Sequence, residues 1–239
     1  MATFHSLKYV FIGCVLLGSS ACTKDELEDN GLSNVDGVPY YHFTDKDRLW
    51  LQVHQGDEWR MVNQQGYQRV YRAGIIEDIK GASHSYSGGI PGSSKLLNYY
   101  DQVTVRLSRT DSAKGGADLR FYRAAAMLTN LSSGGYATNV SRFYAEGEWY
   151  DFAGNTDLIS DYYSCRGLKF PSNTQLNGPF QQLTVRGRQY GEVVAFIASD
   201  RGPTCAPVSA SFMRELYYDR QAGLVRMVSL AGEVWERMP

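Results

Sequence analysis

Few side chains in this sequence stand at spacings that could do chemistry, and the clearest is Cys22. Gly18, Ser19, Ser20 and Ala21 are small, as a signal peptidase pocket requires, and the cysteine follows at once. That spacing offers cleavage after Ala21 and acylation of the new N-terminal cysteine. Upstream, Lys8 gives a small positive charge, and residues 9–17 (YVFIGCVLL) form an uncharged apolar run too short to span a bilayer. A lipidation signal usually carries Leu three residues before the cysteine, and here that position is Ser19. An ordinary secretory signal cut after Ala21 is therefore the alternative reading. Acyl chains contribute about 0.8 kcal/mol per buried CH₂, so several on one cysteine would hold the protein on a membrane.

The other cysteines point to oxidation. Cys14 leaves with the signal, so an exported chain retains Cys165 and Cys205 besides Cys22. Two leftover cysteines in an oxidising compartment most often pair. Closing a loop of that length stabilises a fold by about 4 kcal/mol in the chain-entropy model. No CxxC or HxxxH spacing exists, so neither a metal site nor a cofactor is expected.

Candidate catalytic groups are sparse. His42, His54 and His84 survive cleavage and read as surface or turn residues. Ser83, Ser85 and Ser87 flank His84, but no GxSxG elbow accompanies them. Glu146 and Glu148 would share one strand face about 7 Å apart, which suits two acids acting across a sugar bond or, more simply, a solvated face. Asp151, Asn155 and Asp157 carry oxygens but do not match a calcium loop. Residues 88–95 (GGIPGSSK) fail the GxxxxGK[ST] pattern of a phosphate loop. Asp111-Ser112-Ala113 matches a short acceptor of a bacterial O-glycosylation system. Asn130-Leu131-Ser132 and Asn139-Val140-Ser141 match the N-linked sequon and read as accidental.

The elements that must position these groups read as strands. Residues 102–108 (QVTVRLS) alternate apolar and polar with period 2, and residues 67–72, 180–186, 212–218 and 224–230 are β-branched or aromatic runs bounded by turn residues. Glycines end the turns 63–66, 219–223 and 230–232, where a left-handed residue is needed. Residues 112–116 and 132–135 read as turns between long strands. Residues 118–131 (DLRFYRAAAMLTNL) fit a helical face through Leu119, Tyr122, Ala126 and Met127. They also fit a strand face through Leu119, Phe121, Ala125, Met127 and Leu131, and the strand-like neighbours favour strand. Residues 81–94 and 162–174 read as irregular. Arg60-Met61-Val62 before Gly66 and Arg226-Met227-Val228 before Gly232 share a spacing, which two hairpins under one turn rule explain.

The expected organisation is a signal at 1–21, an acidic flexible tether at 22–38 and one all-β antiparallel domain at 39–239. That domain is a barrel, clam or sandwich of about ten to twelve strands with little helix. Hydrophobic residues make up 43% and charged residues 21%, which fits a folded domain with a sizeable core. The net charge of −1 gives no electrostatic case for nucleic acid. Seventeen tyrosines suit half-buried strands and also protein or carbohydrate contact surfaces.

The run Cys22-Thr23-Lys24-Asp25-Glu26 resembles the lipoprotein export signal of Bacteroidota, in which Lys and two acids shortly after the lipid cysteine mark surface display. Residues 215–237, with Leu-Tyr-Tyr, Gly-Leu-Val-Arg and Gly-Glu-Val-Trp, are similar to the ends of many lipoproteins from those bacteria, and the hairpin after Gly56-Asp57-Glu58-Trp59 fits the same picture. The resemblance implies an all-β fold and an outer-membrane, lipid-anchored location with Lys24, Asp25 and Glu26 as sorting residues. The domain would then face the cell surface, or the periplasm if sorting fails. The resemblance implies no activity. The expectation is a non-catalytic envelope protein that binds a protein or glycan or plays a structural role. A barrel carrying a hydrophobic ligand and an envelope hydrolase are the alternatives: the first needs an apolar cavity, the second convergent acids or a nucleophile.

Mass mapping of non-reduced peptides from the exported protein is expected to find Cys165 linked to Cys205. Two alkylatable thiols there would contradict the pairing.

Overall fold

The computed structural model describes residues 30–86, 94–111, 115–128, 135–150, 167–176, 178–198 and 210–239. Thirteen strands and one short helix run in chain order as β1 (Leu32–Val35), β2 (Val38–Tyr41), α1 (Asp45–Arg48), β3 (Glu58–Asn63), β4 (Gln68–Tyr86), β5 (Ser94–Arg109), β6 (Gly116–Leu128), β7 (Gly135–Tyr150), β8 (Gly167–Gln175), β9 (Gln181–Val185), β10 (Arg188–Ile197), β11 (Met213–Asp219), β12 (Gly223–Ser229) and β13 (Val234–Arg237). They form one open sheet in the order β8-β7-β6-β5-β4-β3-β13-β12-β11-β10-β9, with β2 added beside β5 and β1 beside β2. All pairings are antiparallel except that of β2 with β5.

Alternation builds the interior. On β5, Val103, Val105 and Leu107 are buried while the alternate Arg106 and Ser108 are exposed and Thr104 is half-buried. Register carries these positions across three strands. Val103 lies opposite Phe121 and Ala145 follows; Leu107 lies opposite Ala117 and Trp149 follows. Small and large residues thus alternate within a row, which fills it without crowding. The sheet curls until its ends meet. Phe170 of β8 and Phe196 of β10 have ring centroids 6.1 Å apart, and Phe121 of β6 lies 5.3 Å from Tyr218 of β11. The C-terminal strand joins the two halves: β13 sits between β3 and β12, with Trp235 opposite Asn63 and Met227.

The two hairpins that share a spacing also share a turn. Asn63 N–H donates to Tyr67 O at 3.0 Å, and Ser229 N–H donates to Glu233 O at 2.9 Å. Each turn ends in a left-handed glycine, Gly66 at φ 84° and Gly232 at φ 80°. The side-chain oxygen of the first residue accepts from the residue after the glycine in both. The turns are neighbours: Asn63 Nδ2 donates to Glu233 Oε1 at 2.6 Å.

Three expectations need correction. Residues 81–86 continue β4, paired through His84 with Leu96 and Tyr86 with Ser94, rather than forming a loop. This end of the β4–β5 hairpin projects past the core, so no buried face imposes alternation; residues 87–93 lie outside the described residues. The second irregular region contains β8, whose Leu168 and Phe170 point inward. Its signal is masked by Pro171, which sits where the β7 register shifts, on an edge strand that needs no second partner. The tether expected at 22–38 overlaps ordered structure, because β1 and β2 form a hairpin within residues 30–41; residues 22–29 lie outside the described residues. Those two strands take the total past twelve. Residues 118–128 are strand, as favoured: inward Leu119 and Phe121 win over the helical face.

Burial pushes the Tyr71 phenol up to about 12, and burial with a hydrogen bond to Asp101 pushes Tyr40 to about 12 as well. Unfolded tyrosines ionise near 10. These two therefore contribute stability that is complete below about pH 10 and is lost as pH climbs through about 12. Urea midpoints measured from about pH 9 to 12 are expected to fall steeply, and Tyr71→Phe is expected to fall less steeply. Parallel pH profiles would contradict the assignment.

Candidate functional site

The site begins where the sheet forks. Gln102 of β5 still pairs with Tyr122 of β6, but farther out β5 pairs with β2, through Tyr99 with Tyr40 and Tyr100 with Tyr41. The residues next past the last β5–β6 pair are Asp101 and Arg123, and both are buried. Each turns its charge to the N-terminal segment. Asp101 Oδ1 accepts from the Tyr40 hydroxyl at 2.6 Å and from Lys80 N–H at 3.0 Å, and Oδ2 accepts from Phe43 N–H at 2.9 Å. Lys80 is left-handed, at φ 56°, in the bulge of β4 between Asp78 and Gly81.

Arg123 makes the opposite set of contacts. Its Nε donates to Asp47 Oδ2 at 2.6 Å and its Nη2 to Asp47 Oδ1 at 3.3 Å, the fork geometry suited to a carboxylate. Its Nη1 donates to the Asn30 carbonyl and the Ser141 hydroxyl. Asp47 also closes α1: its Oδ2 accepts from Thr44 N–H at 2.8 Å while Thr44 Oγ1 accepts from Asp47 N–H at 3.3 Å. The chain enters past Gly31 at φ 66°, where a Cβ would stand 2.5 Å from Arg123 Nε and from the His42 carbonyl oxygen. Only glycine fits there.

Around this pair lies a cleft of about 480 Å³. Its floor is Trp50, whose ring lies 5.2 Å from that of Phe180. Lys46, Arg142 and Arg220 line it, and Asp47 is the carboxylate among its lining residues. Arg220 sits in the turn after β11, held by Asp219 Oδ1 accepting from Gln221 N–H at 3.0 Å and Ala222 N–H at 2.8 Å. Its Nη1 donates to Glu192 at 2.8 Å, while its Nε is buried with no hydrogen-bond partner among the described residues. With Asp47 offset by Arg123 and Arg220 by Glu192, Lys46 and Arg142 leave the described lining with excess positive charge. That lining suits holding an anion, and among the described residues it holds one carboxylate, Asp47.

No family model, curated protein or solved structure matches the chain.

Among the described residues, no catalytic candidate from sequence lines the cleft. Cys22, Lys24, Asp25, Glu26, Cys165 and Cys205 lie outside the described residues, as do Ser87, Ser112, Asp151, Asn155 and Asp157. Glu146 and Glu148 are on the outer face of β7. Glu146 pairs with Arg120 across the strands. Glu148 belongs to a ladder of Arg106, Asp118, Glu148 and Lys169 over four neighbouring strands, in which Arg106 pairs with Asp118 and Lys169 faces Glu148 while Asp118 and Glu148 set like charges opposite each other. Burial raises the Glu148 carboxyl; Lys169 opposes and Asp118 adds to that shift. His54 Nδ1 is 3.8 Å from Asp57 in an exposed turn, His84 is exposed on β4, and His42 packs beside Tyr40 with centroids 5.5 Å apart. Among the described residues, no three His, Cys, Asp or Glu side chains cluster to hold a metal.

The cleft residues were not singled out from sequence. Two signals pointed to them: Thr44-Asp45-Lys46-Asp47 spells a capping box, and Arg123 interrupts the inward row of Leu119 and Phe121. Arg123→Met is expected to cost about 3–5 kcal/mol, because it leaves Asp47 buried without its partner. Adding Asp47→Leu should restore a large part. Urea unfolding checks both, and a single-variant cost under about 1 kcal/mol would contradict the buried-pair role.

Proposed function

We propose that this is a lipid-anchored, non-catalytic protein of the bacterial outer membrane, facing the cell surface, whose task is binding at its polar rim. The supporting observation is the filled interior. Trp149, Tyr71, Tyr218, Phe121, Phe143 and Phe196 are fully buried side chains, and their rings contact one another inside the curled sheet. A carrier of a hydrophobic ligand needs that space empty. The rim cleft is instead polar and cationic, and a hydrolase would need a nucleophile or paired acids within it. The anchor is Cys22, and Lys24-Asp25-Glu26 supplies the sorting signal. Surface display with a short link to the membrane suits capture of a ligand at the envelope.

Cys22→Ser is expected to release a soluble or uncleaved protein, since the acyl chains supply nearly all the membrane affinity. Replacing Lys24, Asp25 and Glu26 with alanine should leave the protein lipidated but protected from protease added to intact cells. Membrane-bound Cys22→Ser of unchanged mass would contradict the anchor. A wild-type domain digested only after lysis would contradict surface display.

A further inference from the structure

We infer that the rim cleft holds the phosphate of an anionic lipid headgroup in the membrane that carries the anchor. This rests on the acylation of Cys22 proposed above.

Two observations carry it. The first is local charge. The whole chain has a net charge of −1, so it is not drawn to anions in general. The cleft differs: Arg123 offsets Asp47, Glu192 offsets Arg220, and Lys46 and Arg142 add positive charge to its lining. Arg142 is exposed at the start of the described β7 face, and Arg220 keeps an unpartnered Nε. Guanidinium groups match phosphate oxygens in both charge and hydrogen-bond geometry. Leu176 and the half-buried Phe180 give the recess an apolar side. That wall suits the glycerol and first methylenes of a lipid better than a fully hydrated inorganic ion.

The second is place. Asn30 lines the cleft and stands eight residues after Cys22. Eight residues of fully extended chain reach at most about 29 Å. A domain of about 210 residues is roughly 40 Å across. The link is therefore too short to let the cleft sit on the side of the domain away from the bilayer. Anionic headgroups attract cationic side chains only within about a Debye length of 8–10 Å, so a cationic recess could act only on the side to which this link ties it and not on the far one.

The test uses the unacylated Cys22→Ser protein, so that the cleft and not the anchor must do the holding. The protein is sedimented with vesicles of phosphatidylcholine alone, or of phosphatidylcholine with phosphatidylglycerol. It is expected to sediment with the second and not the first. Arg142→Glu should weaken this by about tenfold or more, and Arg142→Gln by less. Arg60→Glu, the same charge change at an exposed strand position, should leave it unchanged. All three variants are expected to keep the wild-type thermal transition. Equal sedimentation with both vesicles, an unaffected Arg142→Glu, or an equal loss in Arg60→Glu overturns the inference. Saturable calorimetric binding of inorganic phosphate without vesicle binding assigns the cleft to a free oxyanion and overturns the membrane assignment. The intact mass of the wild-type membrane protein reads the anchor separately. An unacylated Cys22 overturns that reading, whereas an acylated Cys22 with no vesicle discrimination overturns this one.

Discussion

Two buried charges at the fork of the sheet hold the rest of the structure in place. Asp101 and Arg123 stand where β5 and β6 part, in rows that are otherwise apolar. An unpaired charge there would cost several kcal/mol. Each takes most of its partners from chain that arrives from the N-terminus, Tyr40 and Phe43 for Asp101 and Asn30 and Asp47 for Arg123, beside Lys80 N–H of β4 and the Ser141 hydroxyl of β7. The β1–β2 hairpin and α1 are therefore part of the domain and not a lead into it. Through Asp47, the same requirement places α1 and Trp50 over the open end of the curled sheet.

That arrangement links fold to function by geometry. The segment that completes the fork also carries the connection to Cys22, and its first described residue lines the cleft. The cleft's cations come from distant stretches: Lys46 from α1, Arg142 from β7 and Arg220 from the turn after β11. They meet because the sheet curls far enough to bring β6 against β10 and β11. The recess is a property of the curled sheet and of no single hairpin.

Where burial is one-sided, the sequence announces the structure. Residues 102–108 alternate because Val103, Val105 and Leu107 face the buried core beside Phe121 and the other side faces out. The turns at Gly66, Gly223 and Gly232 announce themselves through left-handed positions that glycine tolerates. Legibility fails where burial is absent on both faces, as in residues 81–86 of the projecting hairpin. It fails again where an edge strand tolerates a proline, as at Pro171 in β8. The β1–β2 hairpin was hidden for another reason. Residues 32–38 show no strand-like apolar run, with Leu32, Val35 and Val38 set among polar residues and Gly37, because the hairpin is held by backbone pairing and by Asp101 and Arg123, not by an apolar face of its own. The cleft was illegible because its cations are far apart in sequence, and an arginine in an apolar strand row has no partner within hydrogen-bond reach along the chain.

Hydrogen exchange at single-amide resolution tests the central claim, that the N-terminal segment is locked into the fork. The amides of Phe43 and Lys80, which donate to Asp101, and of His42, which donates to Gly31, should exchange as slowly as Val103 and Phe121, through global unfolding. Exchange of residues 31–48 at the rate of an unfolded peptide, beside protected β5 and β6, would contradict it.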